Sequence, residues 1–299
     1  MKKNNQTTGF LAMTAVVVIY GISYISREAI GGALTAGQIL TIQMAVMAIF
    51  FGVYNLIARK SFHLEKKDIG WVAASGLFGT TCFHGFTIMS VNSLGATVSS
   101  LLYGFAAAFA LLIEIVLFQR KKTKLGIASI AVSLVGVFIL MDMNWQDLAS
   151  TNFKGYLLGL LSVASWVVYT FLCDKVTGDY PKTVLLNYQA LIGIVTTLPL
   201  LLLQPNSFQA LGNPMVLVHV LFLGLFNSSI AYFLNMYAIK QIGVTLSNLF
   251  LNFLPVVTMV VALFLYGTAP SVKQILGGIL ILASVFMLEK DERILKAQK

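Results

Sequence analysis

The chain has 299 residues, of which 58% belong to the hydrophobic set and 10% are charged, and its mean hydropathy is +0.86. Soluble domains are about 45–50% apolar and about 25% charged, so this composition cannot cover a water-facing surface and predicts an integral membrane protein. The net charge of +9 is expected to lie in cytoplasmic loops, where membrane chains accumulate Lys and Arg, rather than to form a nucleic-acid interface.

Apolar runs between charge clusters and Gly, Pro or Asn breaks predict ten membrane crossings, since about 20 apolar residues span one bilayer. In chain order they are 8–26, 37–58, 69–91, 96–118, 125–141, 155–173, 183–203, 215–238, 244–266 and 274–289. The fold class is therefore an all-α membrane protein, with no room for a second, soluble domain. Cys82 and Cys173 lie within apolar runs, which argues against a disulfide framework or a zinc site.

The distribution of Lys and Arg predicts the orientation. With a cytoplasmic N-terminus, three of the 20 basic residues fall outside, namely Arg27, Lys154 and Lys273. The other 17 fall inside: Lys2, Lys3, Arg59, Lys60, Lys66, Lys67, Arg120, Lys121, Lys122, Lys124, Lys175, Lys182, Lys240, Lys290, Arg293, Lys296 and Lys299. The protein is therefore expected in the cytoplasmic membrane with both termini in the cytoplasm. Termini on the same side require an even number of crossings.

The second half of the chain repeats the first. A shift of 146 residues aligns Gly9 with Gly155 and Gln43 with Gln189, and from the third helix onward a shift of 148 aligns Gly95 with Gly243. Each repeat, 8–141 and 155–289, holds five crossings, so the two copies must have inverted topology. The apolar run after Lys2 and Lys3 is reminiscent of a signal peptide, but it matches an internal helix and is expected to be retained.

Several short motifs resemble the EamA-type transporters of the drug/metabolite transporter superfamily. The first helix has an aromatic-Gly-x-Ser-aromatic stretch at 20–24, and 228–244 is similar to the family's Ala-Tyr … Tyr-Ala-Leu-Lys signature. The ninth helix has the small-residue start and the mid-helix proline, Pro255. The resemblance implies a cavity lined by helices 1, 3, 4, 6, 8 and 9, with helices 2 and 7 as gates. Gln43 and Ala107 depart from it, since many members have an arginine and a proline there.

Ionisable groups within the predicted spans are costly and point to function. Glu114 is a proton site, a countercharge for an amine, or an interfacial carboxylate that pairs with Arg120. It shares a helix face with Tyr103. His84, whose repeat equivalent is Tyr232, either carries a proton through the transport cycle or is a neutral imidazole bonded to a neighbouring helix.

Aromatic stripes mark helices 1 and 6. Tyr20, Tyr24, Arg27 and Glu28 share one stripe, and Trp166 begins the corresponding stripe in the second half with Thr170 and Asp174. Paired aromatics near mid-span provide walls for an apolar or cationic ligand, or are packing bulk. Arg27 and Glu28 are expected to pair with each other at the outer mouth, or to form an outer gate.

Four amides lie within the predicted spans: Gln43, Gln189, Asn248 and Asn252. We expect them either to hydrogen-bond a zwitterionic or polyol substrate or to join neighbouring helices. With Tyr20, Tyr24, His84, Tyr103, Trp166 and Tyr232 they form the predicted substrate-binding set, and Glu114 and His84 are the candidates for proton coupling or countercharge. The fifth and tenth helices carry no acidic, basic or amide group in their apolar cores, and their glycines and serines suit close helix packing, so both helices are expected to be scaffold.

These features predict a secondary transporter of a small metabolite such as an amino acid or amine, working as an exporter or exchanger by alternating access. The chain has no Walker motif, so transport is expected to be driven by an ion or substrate gradient or by exchange. A proton is the candidate coupling ion, because Glu114 and His84 can titrate. The alternatives are an exporter of drugs or quaternary cations, a channel, and an intramembrane enzyme; no enzymatic motif, cofactor or metal site is expected. The expected partners are the small-molecule substrate and membrane lipid, in a monomer or weak homodimer.

Overall fold

The structure, a computed structural model, describes residues 2–117, 119, 123–141, 153–176, 178–203, 208–267 and 271–297. All regular elements in these ranges are helical. The α-helices are α1 (Lys2–Ile30), α2 (Ala36–Ile57), α3 (Lys66–Gly76), α4 (Phe83–Leu101), α5 (Ala106–Val116), α6 (Lys124–Met141), α7 (Phe153–Val176), α8 (Lys182–Leu202), α9 (Pro214–Phe222), α10 (Ala231–Ile242), α11 (Val244–Phe250), α12 (Leu254–Tyr266) and α13 (Val272–Ala297).

Capping residues explain several helix ends. Thr35 begins α2 with a capping box, in which its hydroxyl accepts from the Gln38 N–H at 3.3 Å while Gln38 Oε1 accepts from the Thr35 N–H. Asn213 caps α9 through its side chain, and Pro214 follows at the first helical position, where its missing N–H costs nothing. Gly267 ends α12 in the left-handed conformation.

Within the described residues, seven helical segments are long and apolar enough to cross a membrane. They are Gln6–Ile30, Ala36–Ile57, Lys66–Val116, Phe153–Val176, Lys182–Leu202, Pro214–Ile242 and Leu246–Leu265. Two shorter apolar segments, Lys124–Ile139 and Ile275–Leu288, lie within α6 and α13. The predicted third and fourth crossings both fall within Lys66–Val116, which has 51 residues.

Side-chain burial has the pattern of a protein in lipid. Large apolar side chains lie on the outside, as at Ile57, Leu203 and Phe264, the last of which is 83% exposed. Arg27, His84 and Glu114 are buried in the interior. Water would penalise both features, whereas hydrocarbon outside the protein favours both. The chain is therefore a multi-pass membrane protein.

The helices contact one another in pairs that correspond between the two halves. The partners α2 and α8 pack together, as do α6 and α13, and these are the predicted helix pairs 2–7 and 5–10. The contact of α1 with α10 corresponds to that of α7 with α4. At these two contacts a glycine allows close approach, because a Cβ on Gly9 would lie 2.8 Å from Gln241 and one on Gly155 would lie 2.8 Å from Ser93.

Departures from α-helical geometry also occur at corresponding places. The π-helical turns are Leu77–Cys82 and Leu223–Ile230, and the last residues of these two turns are 148 residues apart. The 3₁₀ turns Leu102–Phe105 and Leu251–Phe253 also end 148 residues apart. Gly95 and Gly243 interrupt the helices at φ of 81° and 88°, a conformation that only glycine adopts without strain. These local features therefore keep the 148-residue register that the sequence shows.

Candidate functional site

A group of aromatic side chains meets in the middle of the molecule, and both halves of the chain contribute to it. With Arg27 we call this group the central cluster: Tyr20, Tyr24, Phe83, His84, Tyr103, Trp166, Tyr169 and Tyr232. Each of these side chains is at most 3% exposed. The cluster therefore includes six of the residues that the sequence predicts for the site, which are Tyr20, Tyr24, His84, Tyr103, Trp166 and Tyr232.

Trp166 lies at the centre of these contacts. Its ring centroid is 4.8 Å from that of Phe83, 5.4 Å from Tyr20 and 5.5 Å from Tyr232. Tyr103 extends the group toward α1, with its centroid 6.2 Å from Tyr24. Tilted and edge-to-face arrangements dominate, as the quadrupoles of aromatic rings favour.

The cluster lies midway along the helices that carry it. At 1.5 Å per residue, Tyr20 is about 21 Å and about 15 Å from the two ends of the apolar segment Gln6–Ile30, and Trp166 is about 20 Å and about 15 Å from the two ends of α7. An aromatic belt at the headgroup level lies near helix ends, so it does not explain these residues.

Arg27 is the charged member of the cluster and is only 1% exposed. Its Nη1 donates to Ser23 Oγ at 2.6 Å, its Nη2 donates to His84 Nδ1 at 3.0 Å, and its Cζ lies 5.7 Å from the Tyr24 ring centroid. The sequence-based expectation that Arg27 pairs with Glu28 at the outer mouth is wrong. Glu28 instead accepts from the Ala96 N–H, directly after the break at Gly95.

Arg27 falls outside the predicted first span because its charge interrupts the apolar run of the sequence. The first span was predicted to finish at residue 26, whereas α1 continues to Ile30 and keeps Arg27 inside the protein. A usable signal was present, since Arg27 is on the helical stripe of Tyr20 and Tyr24. Phe83 and Tyr169 were also missed, as neither differs by type from packing aromatics.

The hydrogen bonds of the cluster determine the protonation state and the tautomer of His84. A guanidinium donates only, so His84 Nδ1 must accept from Arg27, and the ring is neutral with its proton on Nε2. Nε2 then donates to the Tyr232 oxygen at 3.1 Å, and the Tyr232 hydroxyl donates to the Gly79 carbonyl in the π-helical turn. This chain of bonds connects α1, α4, the first π-helical turn and α10, and thereby both halves.

Other polar atoms of the cluster are buried and have no hydrogen-bond partner among the described residues. Among them are Tyr20 Oη, Arg27 Nε, Tyr103 Oη and Trp166 Nε1. Each such group costs about 1–3 kcal/mol of stability, so several in one place call for a functional explanation. Orphaned donors among aromatic walls are the combination that small-molecule sites present to a polar ligand.

The two symmetry-related glutamines hold helices together at corresponding contacts. Gln43 Nε2 donates to the Leu223 carbonyl at 3.4 Å and to Ser228 Oγ, while Gln189 Nε2 donates to Ser75 Oγ at 2.8 Å. Residues 75 and 223 are equivalent in the repeat register. Both amides therefore bond across helices, beside the π-helical turns and not among the rings of the cluster.

The two asparagines hydrogen-bond side chains of other helices, and Glu114 lies on α5. Asn248 Nδ2 donates to Thr170 Oγ1 at 3.0 Å, and Asn252 Nδ2 donates to Ser133 Oγ at 2.7 Å. Glu114 is buried on α5. Arg120, its predicted partner, lies outside the described residues, so that pairing stays a prediction.

Cavities are present toward both ends of the molecule. One of about 860 Å³ is lined by Trp71, Asp174, Lys175 and Lys240, at the end where the α7 C-terminus lies. There Lys240 Nζ is 3.4 Å from Asp174 Oδ1, and Lys175 Nζ is 3.4 Å from the Trp71 ring centroid. Another, of about 440 Å³, lies at the opposite end and is lined by residues 31–36, 89, 92, 93, 154 and 158.

A helical membrane fold with a buried polar and aromatic centre between two end cavities defines the class of membrane transporters. The comparison with known families identifies the chain more closely. The profile of the EamA-like transporter family matches it twice, over residues 7–142 and 153–289. The chain therefore belongs to the EamA-like transporter family.

Individual relatives agree with this assignment at low identity. An uncharacterized transporter of Archaeoglobus fulgidus is 20% identical over 280 residues, which cover 93% of this chain and 98% of the relative. A probable terminal-alkyne amino-acid exporter of Streptantibioticus cattleyicolor is 24% identical, with 84% and 82% covered. A solved crystal structure superposes with a TM-score of 0.74 at 17% identity, covering 96% of this chain and 99% of the other, and so shows the same fold.

Proposed function

We propose that the protein is a secondary active transporter that exports or exchanges a small amino-acid-like metabolite across the cytoplasmic membrane by alternating access. The observation that carries the proposal is the central cluster: a fully buried polar and aromatic site built from both halves of a membrane transporter. The substrate class is also supported by two relatives, the amino-acid exporter described above and a probable amino-acid metabolite efflux pump of Salmonella typhimurium, 22% identical over 65% of this chain and 62% of the relative.

Ten crossings are part of this proposal. At 1.5 Å per residue, the 51 residues of Lys66–Val116 would extend about 75 Å, more than twice the roughly 30 Å of a bilayer core. The segment is interrupted at Gly95, which divides it into two crossings. With the two shorter segments in α6 and α13, the total becomes ten.

The two repeats, 8–141 and 155–289, supply the mechanism in this proposal. Five crossings in each give them opposite orientations in the membrane, and their corresponding contacts and helix breaks support a common structure. Such halves have two equivalent packings, one open to each side. In this proposal both termini and the larger cavity, with Lys175 and Lys240, face the cytoplasm, and the distribution of Lys and Arg supports this orientation.

Transport through the central cluster requires one cavity to extend to Trp166 while the other closes. The helices depart from a rigid rod at corresponding positions in the two halves: at the π-helical turns, which end within two residues of Phe83 and Tyr232 in the chain, and at Gly95 and Gly243, each 11 residues beyond His84 and Tyr232. Turns of this kind are frequent at functional sites and provide hinges within helices.

Counterflow into proteoliposomes tests the proposal. Vesicles with purified protein and each unlabelled amino acid inside are expected to accumulate the labelled compound in a saturable manner for at least one of them. Phe83→Leu removes a ring that contacts Trp166 and should weaken apparent affinity about 3- to 10-fold, from the 0.5–1.5 kcal/mol of an aromatic pair.

The matched control is Phe264→Leu, which changes a ring on the outer surface. It should leave counterflow unchanged. Uptake that rises linearly with concentration would indicate a channel instead, and equal losses in both variants would remove the cluster from the transport path.

A further inference from the structure

We propose that the buried guanidinium of Arg27 binds a carboxylate of the transported molecule. The substrate class is then an amino acid, and plain amines and quaternary cations are excluded. This inference rests on the proposed transport function and adds the chemical group that the site recognises.

The first step is the charge of Arg27. A guanidinium stays protonated in proteins, so the cluster carries a full positive charge at 1% exposure. Its hydrogen-bond partners, Ser23 and His84, are both neutral. Within the described ranges no carboxylate contacts Arg27, since Glu28 bonds to the Ala96 N–H and Asp174 pairs with Lys240.

The second step is that a buried charge without a counter-charge destabilises the protein, so structure alone does not explain it. A neutral side chain such as Gln can join Ser23 to His84 without the penalty of taking a charge out of water. Arg27 is thus explained better by an anion that enters the site than by the two hydrogen bonds it makes within the protein.

The third step is geometry. The planar guanidinium presents five N–H donors, and a carboxylate binds such a fork with two parallel hydrogen bonds. The Nε–H of Arg27 is buried without an acceptor, and Nη2 is directed to the weaker, neutral acceptor His84 Nδ1. A carboxylate at Nε and Nη2 replaces this acceptor with an anionic one.

The aromatic walls then receive the rest of the molecule. Tyr24 and Tyr103 lie beside Arg27, and Trp166 and Phe83 continue the surface away from the charge. The aromatic stripes alone suit both a cation and a zwitterion. The position of Arg27 decides between them, because a cationic ligand in the same site would be repelled.

Ligand-induced thermal stabilisation of the purified full-length protein in detergent tests this inference. The probes are the free amino acids, their C-terminal amides and the corresponding decarboxylated amines, each titrated separately. At least one free amino acid should bind about 10- to 150-fold more tightly than its amide, the range for a charged hydrogen-bonded contact. Amides or amines that bind as tightly as the acids would overturn the inference and leave the transport function standing.

Variants test whether Arg27 is the group responsible. Arg27→Gln should reduce the acid-to-amide preference to less than about 3-fold, while Arg27→Lys keeps a charge and should retain part of it. Arg59→Gln, on an exposed residue between α2 and α3, is the matched control and should keep the full preference. A preference unchanged in Arg27→Gln would refute the assignment.

The comparison of probes within the unaltered protein keeps the test valid if Arg27→Gln does not fold. Binding of none of the three probe sets would overturn the carboxylate site, and the counterflow experiment then decides separately whether the protein transports other molecules.

Discussion

The same substitution, Tyr to Phe, should have opposite effects at two tyrosines of the central cluster. The Tyr20 hydroxyl is buried without a partner, whereas the Tyr232 hydroxyl accepts from His84 and donates to the Gly79 carbonyl. A ligand site keeps orphaned groups for its ligand, at the expense of the stability of the protein alone. Tyr20→Phe should therefore stabilise the ligand-free protein, and Tyr232→Phe should destabilise it.

The magnitudes follow from the hydrogen bonds. Removing the Tyr20 hydroxyl relieves one buried unsatisfied group, which costs about 1–3 kcal/mol, so we expect a gain of about 1–2 kcal/mol. Tyr232→Phe removes the hydrogen bond to the Gly79 carbonyl and leaves the buried His84 Nε2–H unpaired, so we expect a loss of about 2–4 kcal/mol. The two phenyl rings keep their packing, because both tyrosines are at most 2% exposed and the ring volume does not change.

Reversible unfolding in mixed detergent micelles, followed by circular dichroism, measures both changes. Tyr237→Phe is the control, since this tyrosine bonds Thr8 Oγ1 at 3.0 Å near the surface and its loss should cost less than about 1 kcal/mol. Tyr20→Phe should also weaken binding of any ligand that its hydroxyl contacts. A loss of stability in Tyr20→Phe as large as that in Tyr232→Phe would refute the distinction between orphaned and structural hydroxyls.

Two further predictions concern a helix break and a loop. Gly243→Ala should destabilise the protein by about 1–3 kcal/mol through backbone strain alone, since φ is 88° and a Cβ there meets nothing within 4 Å. The control is Gly212→Ala, at a position that is equally open but has no positive φ, and this variant should be close to neutral in the same unfolding assay. The hydrogen bond that Tyr180 donates to Asp68 at 2.6 Å raises the pKa of Tyr180, so this contact stabilises the fold fully below the ordinary tyrosine pKa of about 10 and is lost as pH rises through the higher folded value. In a tyrosinate absorbance titration, Asp68→Asn should lower the pKa of Tyr180 toward its ordinary value, and an unchanged titration would contradict the role of Asp68.

The sequence predicted the helical membrane fold well because hydrophobicity along the chain is a strong signal. It also located Trp166, Tyr20 and His84, since polar and aromatic outliers in mid-span are few. The predicted ends of the helices were less accurate. The first predicted span stops before Arg27, because a charged residue interrupts the apolar stretch from which the span is recognised. Only the tertiary packing shows that this charge is enclosed by His84 and by Tyr232, which comes from the other half of the chain.

The partners of the amides were also beyond the sequence. Gln43 and Gln189 were open to a ligand role or to helix packing, and their hydrogen bonds to residues 223, 228 and 75 are those of interhelical contacts. Which atoms a buried amide reaches depends on helix rotation and on the extra residue of a π-helical turn. Hydrophobic periodicity reports neither of these.

Alternating access between the two end cavities is most directly tested by cysteine labelling from opposite sides. In a background lacking Cys82 and Cys173, Ser93→Cys and Leu172→Cys place one thiol in each cavity. A bulky maleimide attached at one thiol should hold that cavity open and slow labelling of the other at least severalfold. Labelling rates at the two positions that remain independent of each other would contradict alternating access and indicate a pathway open to both sides at once.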